Sequence, residues 1–359
     1  MKAFCKRGRA ASHLACVRTT SKVGALTGIT GAAKNGLATI VCIMKPRGTL
    51  IELQVVILER NKLVGRKVAR LFLSLGANVV IAEDPSQLRE AVATADVLCA
   101  DTFDGDFVAE QARANPKLHG VLWTAEPIRR SLKYLVETKT MNHVLGRRDF
   151  DSPPRSWEMM LVARRLAGIS APPPIGAYLD WGFSSFELEV QSSSERDGAV
   201  AKIQEFVAAM QLPKRVAEMF GELAHELLMN AMYDAPVDAQ GKPKYAGDRK
   251  AEIRLTDSER PVVRVGTDAS RLVLQVRDPF GGLQRRHVFD GLARGLADGE
   301  MDTSHGGAGL GMMVCHNSSS MMSFDVVRGR STEVTAVLEL DMNLRELRQQ
   351  AKSLHFWSA

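Results

Sequence analysis

Apolar positions in the first half of the chain come in short runs separated by helix-spaced segments. Val55-Val56-Ile57-Leu58 reads as a buried strand ending in Glu59. Residues 63–76 then place Val64, Val68, Leu71 and Leu75 three to four apart, which predicts a helix, and Gly76 closes it. Val79-Val80-Ile81 is a second strand pattern, followed by a helix over 85–94 opened by Pro85. Three more runs follow at 96–101, 120–123 and 143–145. Strands alternating with helices predict a doubly wound parallel sheet. Chemistry in such sheets gathers at the carboxyl ends of the strands, where this chain carries Glu59, Asp101, Thr124 and Arg147.

The second half has a different rhythm. Residues 168–176 contain Pro172-Pro173-Pro174, a semi-rigid spacer that marks a boundary. Phe186, Leu188 and Val190 alternate with polar residues and predict a strand; 195–210 predict an amphipathic helix. Leu212-Pro213 interrupts it, and 214–234 predict a second helix. On that helix Glu226 and Asn230 are i and i+4, and Asp234 continues the line. Such a stripe is ordinarily a solvated face, although Asn inside a helix is mildly unfavourable. Strands are expected at Ile253/Leu255, Val262–Val265 and 272–276. The last runs into Asp278-Pro-Phe-Gly281-Gly282, a backbone open to close ligand approach or an ordinary turn. Gly306-Gly307-Ala-Gly309-Leu310-Gly311 then opens an apolar helix, whose free N–H groups suit an anion. The polar stretch 283–305 before it reads as a mobile lid.

Length and composition agree with two folded domains: 359 residues, 45% hydrophobic and 25% charged. No apolar run is long enough for a membrane span. The net charge of +6 misleads, because residues 1–51 hold nine Lys or Arg and no acid. Subtracting nine from +6 leaves −3 for the remainder, so a nucleic-acid partner is not expected. The opening stretch cannot close a core. A disordered basic arm, a true start at Met44 and a targeting peptide are the readings left open for it. Five Cys without a C-x-x-C spacing exclude a disulfide framework and a zinc module, and fit a cytoplasmic protein.

Residues 52–168 resemble a two-component receiver domain. Asp101 falls at the phospho-acceptor position, Thr124 at the switch threonine and Arg147 near the lysine. The acidic pair that binds magnesium in that family reads Glu59-Arg60 here. Phosphoryl transfer to aspartate needs a metal held by carboxylates, so the resemblance implies a degenerate receiver used for docking or dimerisation. A working acceptor at Asp101 and an unrelated flavodoxin-like domain are the alternatives.

Residues 180–345 resemble the Bergerat-fold (GHKL) ATPases, the class of histidine kinases, gyrase and the anti-sigma-factor serine kinases. Glu226 and Asn230 match the N box, Asp278, Gly281 and Gly282 the first glycine box, and Gly307, Gly309 and Gly311 the second. Ser331-Thr332 and the strand after it match the closing segment. The resemblance implies an α/β sandwich with a mixed sheet that binds ATP and magnesium. Asp278 would accept from the adenine amino group, Asn230 would hold the metal, and Glu226 would act as general base. Asp234, Leu310 and Thr332 complete the expected ATP contacts. Phe280 and Tyr233 depart from the pattern. No phospho-acceptor histidine module is visible; only His225 precedes an acid, and it lies inside the N box.

The layout before the N box is most similar to the anti-sigma-factor serine kinases. The expectation is therefore an ATP-dependent protein (serine) kinase or ATPase controlled by a receiver-like domain. Implied partners are an anti-anti-sigma-like protein, a sigma factor or a response regulator, with a homodimer also open. The competing class is a nucleotide-dependent binding switch without turnover. A DNA-repair or topoisomerase ATPase would need a transducer domain that is not visible. Residues 169–179 are expected as linker and 346–359 as a tail.

Overall fold

The computed structural model describes residues 41–43, 53–169, 171–297, 308–341 and 344–359. Five parallel strands form its first part: β2 (Gln54–Leu58), β3 (Asn78–Ala82), β4 (Val97–Asp101), β5 (His119–Thr124) and β6 (Met141–Gly146). Their order is β3-β2-β4-β5-β6, the doubly wound arrangement with its switch point between β2 and β4. Helices α1 (Lys62–Ser74) and α5 (Ser156–Leu166) cover one face, burying Val64, Val68, Phe72 and Met159. Asn61 caps α1, its side chain accepting from Leu63 N at 3.0 Å. Helices α3 (Gly105–Ala114) and α4 (Arg129–Glu137) cover the other face through Val108, Leu132 and Leu135.

The second part is antiparallel. Strands β7 (Ser184–Glu189), β8 (Val262–Thr267), β9 (Arg271–Asp278), β10 (Met321–Val327) and β11 (Ser331–Glu339) lie in the order β10-β11-β9-β8-β7. Helices α6 (Ser193–Ala209), α7 (Lys214–Met229) and α9 (Ala308–Asn317) cover one face of this sheet. Ile203, Phe220, Leu223 and Cys315 pack there on Val263, Leu274 and Phe324. Ile175, Tyr178 and Leu179 of the expected linker are buried on the opposite face against Val273 and Val337, so this stretch is packed rather than a free spacer.

Several expectations need correction. Residues 346–359, expected as a tail, contain most of α10 (Leu344–Gln349) and all of β12 (Ser353–Ser358). β12 pairs antiparallel with β6 and parallel with β10, joining both halves into one twelve-stranded sheet. Its Leu354 and Phe356 are buried, which gives the ending a reason to pair. Within the expected basic arm, Val41–Ile43 forms β1, antiparallel to β3; the rest of 1–51 lies outside the described residues. Ile253 and Leu255 are buried but form no strand, only a bridge from Arg254 to Ser192. The expected lid contains α8 (Arg285–Ala297), whose Val288, Phe289 and Leu292 are fully buried. Burying one Phe is worth about 1.5–3 kcal/mol, so the three apolar side chains together offset part of the entropy lost in ordering this stretch.

Candidate functional site

Two groups of residues singled out in the sequence come together. The first lies at the switch point of the parallel sheet. Arg147, just past β6, donates from Nη2 to Asp101 Oδ2 at 2.7 Å and from Nη1 to Glu59 Oε2 at 3.2 Å. Its side chain is buried. Trp123 Nε1 also donates to Glu59 Oε2 at 3.0 Å, and Phe103 N donates to Asp101 Oδ1 at 2.8 Å. Burial pushes the Asp101 carboxyl up, while the Phe103 N–H and the Arg147 guanidinium pull it back. Arg60 turns away and pairs with Asp104. Thr124 Oγ1 does not reach across to Asp101; it accepts from Glu126 N at 2.9 Å, closing its own turn. Magnesium does not fit this pocket as arranged, because the Arg147 guanidinium occupies an oxygen of each carboxylate that would bind it.

The second group surrounds the C-terminal end of α7. That helix does not continue regularly to 234: its last turn widens into a π-helix over Asn230–Asp234, with Ala235 N bonding to Asn230 O. Such bulges re-aim side chains and recur at functional sites. Glu226 faces the first turn of α9, where a Cβ on Gly311 would collide with Glu226 Oε2. A larger residue there would have to push the end of the Glu226 side chain aside. Gly309 and Leu310 belong to α9, and Gly307 lies outside the described residues.

Asp278 ends β9 and is buried. It pairs in register with Thr332 of β11. Burial drives its carboxyl up to about 6, against hydrogen bonds from Phe280 N (2.9 Å), Gly281 and Thr332. Gly281 has φ +64, and a Cβ there would strike the Val327 carbonyl. Gly282 faces open space. The segment expected as the first glycine box is thus a tight turn locked onto the β10–β11 hairpin, with Asp278 at its base.

Arg249 was not singled out in the sequence. Its Nη2 donates to Asn230 Oδ1 at 2.8 Å and to Asp234 Oδ2 at 2.6 Å. It comes from the aperiodic polar stretch after α7, so no pattern signals it. Magnesium does not fit at Asn230 either, since its carbonyl oxygen already accepts from a cation. Among the described residues, no cluster of three or more His, Cys, Asp or Glu could hold a metal.

A cavity of about 650 Å³ opens on the other flank of α7, facing the start of α6. His225, Met229, Tyr233, Arg249 and Lys250 line it; Asp278, Gly281 and Glu226 do not. Tyr233 is buried and donates to Ala251 O at 2.7 Å, so its ring is structural.

The halves also touch outside the sheet. Arg285 at the start of α8 donates to the carbonyls of Thr138 (2.8 Å) and Met141 (3.0 Å), to that of Leu135, and to Asn142 Oδ1 (2.6 Å). One guanidinium therefore ties the helix before the glycine-rich segment to the end of α4.

No protein-family model matches the chain, and no curated protein matches it. One solved structure that part of the chain matches is the signal receiver domain of an HD domain-containing protein from Pseudomonas fluorescens Pf-5. The match has a TM-score of 0.29 and 13% identity, and it covers 32% of this chain and 87% of that one. At that TM-score the likeness carries no functional argument. No described helix is long and apolar enough to cross a membrane.

Proposed function

We propose that the chain is an ATP-binding signalling protein in which a receiver-like half controls a Bergerat-type nucleotide site. The observation that supports this best is the approach of Gly311 to Glu226. The start of α9 and the polar stripe of α7, far apart in sequence, lie so close that a methyl group at position 311 would press on the Glu226 carboxylate. Asp278 stands at the end of the adjacent strand as a buried acceptor, suited to an exocyclic adenine amino group and unsuited to the guanine carbonyl. On this reading Glu226 orients the attacking water or hydroxyl, and Thr332 holds the Asp278 carboxyl. The α8–α4 contact through Arg285 offers the path by which the receiver-like half acts on the glycine-rich segment. A regulatory protein is the partner this architecture would serve.

A second reading, a nucleotide-dependent binding switch without turnover, is favoured by Arg249. With Asn230 Oδ1 held by a guanidinium, phosphoryl transfer would lack its usual metal clamp. Calorimetric titration of the full chain with ATP, GTP and ADP, followed by phosphate-release assays, tests both. Binding of ATP over GTP with turnover supports the first reading. Binding without turnover supports the second, and no binding removes both.

A further inference from the structure

We infer that Arg249 is the built-in counter-cation of the nucleotide site, so that the triphosphate binds without a divalent metal. This rests on the nucleotide reading above and adds the ion chemistry of the same site. Asn230 and Asp234 present the two oxygens that a metal bridging to phosphates would use. Both accept from Arg249 Nη2, at 2.8 and 2.6 Å. A magnesium ion at roughly 2.1 Å from Asn230 Oδ1 would crowd the guanidinium against the same oxygen, and like charges so close repel strongly.

Arg249 also keeps a donor in reserve. Its Nε is buried and has no hydrogen-bond partner among the described residues. The side chain as a whole is 35% exposed, so the guanidinium can still meet a phosphate oxygen, a strong acceptor for it. The permanent charge and fork of donors suit phosphate recognition in a way a lysine point charge does not.

The first half shows the same replacement independently. There Arg147 bridges Glu59 and Asp101, the two carboxylates that would hold a metal. In both halves, oxygens that a metal would use are held by an arginine of the chain itself.

The test is ATP titration of the full chain in magnesium and in EDTA, for wild type, Arg249→Gln and Arg249→Lys. Wild type should bind within about threefold equally in both media. Arg249→Gln should lose about tenfold or more in EDTA, the cost of a charged hydrogen bond, and Arg249→Lys should recover part of it. Wild-type binding at least about tenfold tighter with magnesium would overturn the inference while leaving the nucleotide site standing. So would Arg249→Gln binding like wild type in EDTA. Absence of ATP binding in either medium overturns the nucleotide reading and this inference with it. The wild-type comparison needs no variant, so it decides even if Arg249→Gln folds poorly.

Discussion

The Arg147 guanidinium donates to Asp101 Oδ2 at 2.7 Å, at the place where a receiver would accept phosphate. The Asp101 carboxyl is thus paired with a cation of the chain itself and shielded by its own burial. Acetyl phosphate with magnesium should leave Asp101 unlabelled; stoichiometric acid-labile phosphate lost in Asp101→Ala would contradict this. Arg147→Met should cost about 3–5 kcal/mol in urea unfolding, because it strands two buried carboxylates. A loss under about 1 kcal/mol would show that the pair is merely incidental.

The five parallel strands were legible because their apolar runs are short, strongly patterned and punctuated by Gly and Pro. The glycine turn at Gly281 and the Glu226 stripe were legible as spacing, since close approach and helix periodicity leave marks in a sequence. Other features were not. β12 pairs with two partners distant in sequence, and its His355 opposite His143 carries no local signal of that. Arg249 and Arg285 act through single long side chains, which periodicity cannot report. The α8 stripe of Val288, Phe289 and Leu292 was present, but the polar residues around it read as a lid.

Gly311→Ala should separate position from binding. The new methyl group would displace the flexible end of Glu226, so folding should change little; helix propensity even favours Ala by up to about 1 kcal/mol. ATP affinity should hold, while phosphate release falls by about 10² or more, as in Glu226→Gln. Unaltered phosphate release in both variants would leave Glu226 as helix surface only.

Lys352 offers a pH test of the joint between halves. Its buried ammonium donates to the carbonyls of His316, Asn317 and Ser319 at 2.8–2.9 Å, capping the end of α9. Burial, with Arg155 nearby, brings its pKa down to about 7. Above that value the unfolded chain binds a proton the folded chain has released, so this group's contribution to stability rises with pH toward the ordinary lysine range. The deficit of Lys352→Met relative to wild type should therefore grow between pH 7 and 8.5, by at most about 1.4 kcal/mol per pH unit. A difference that stays flat would mean the three carbonyls hold the ammonium charged throughout.

Arg285→Met should loosen the tie between α8 and α4, since four oxygen acceptors lose one shared donor. Hydrogen exchange should quicken in both helices and leave β2 and β4 unchanged. Equal protection in variant and wild type would exclude Arg285 as a coupling element.

The proposed nucleotide site stands or falls on adenine recognition by Asp278. The most direct measurement is calorimetric ATP and GTP affinity of the full chain at pH 7.5, for wild type and Asp278→Asn. At that pH the carboxyl, with its pKa near 6, is ionised and accepts a hydrogen bond from the amino group. Wild type should prefer ATP, and Asp278→Asn should weaken ATP binding by about tenfold or more, the roughly 1.5–3 kcal/mol of a charged hydrogen bond, with little change for GTP. Equal ATP affinity in a folded Asp278→Asn variant, or no wild-type preference for ATP, would contradict the account.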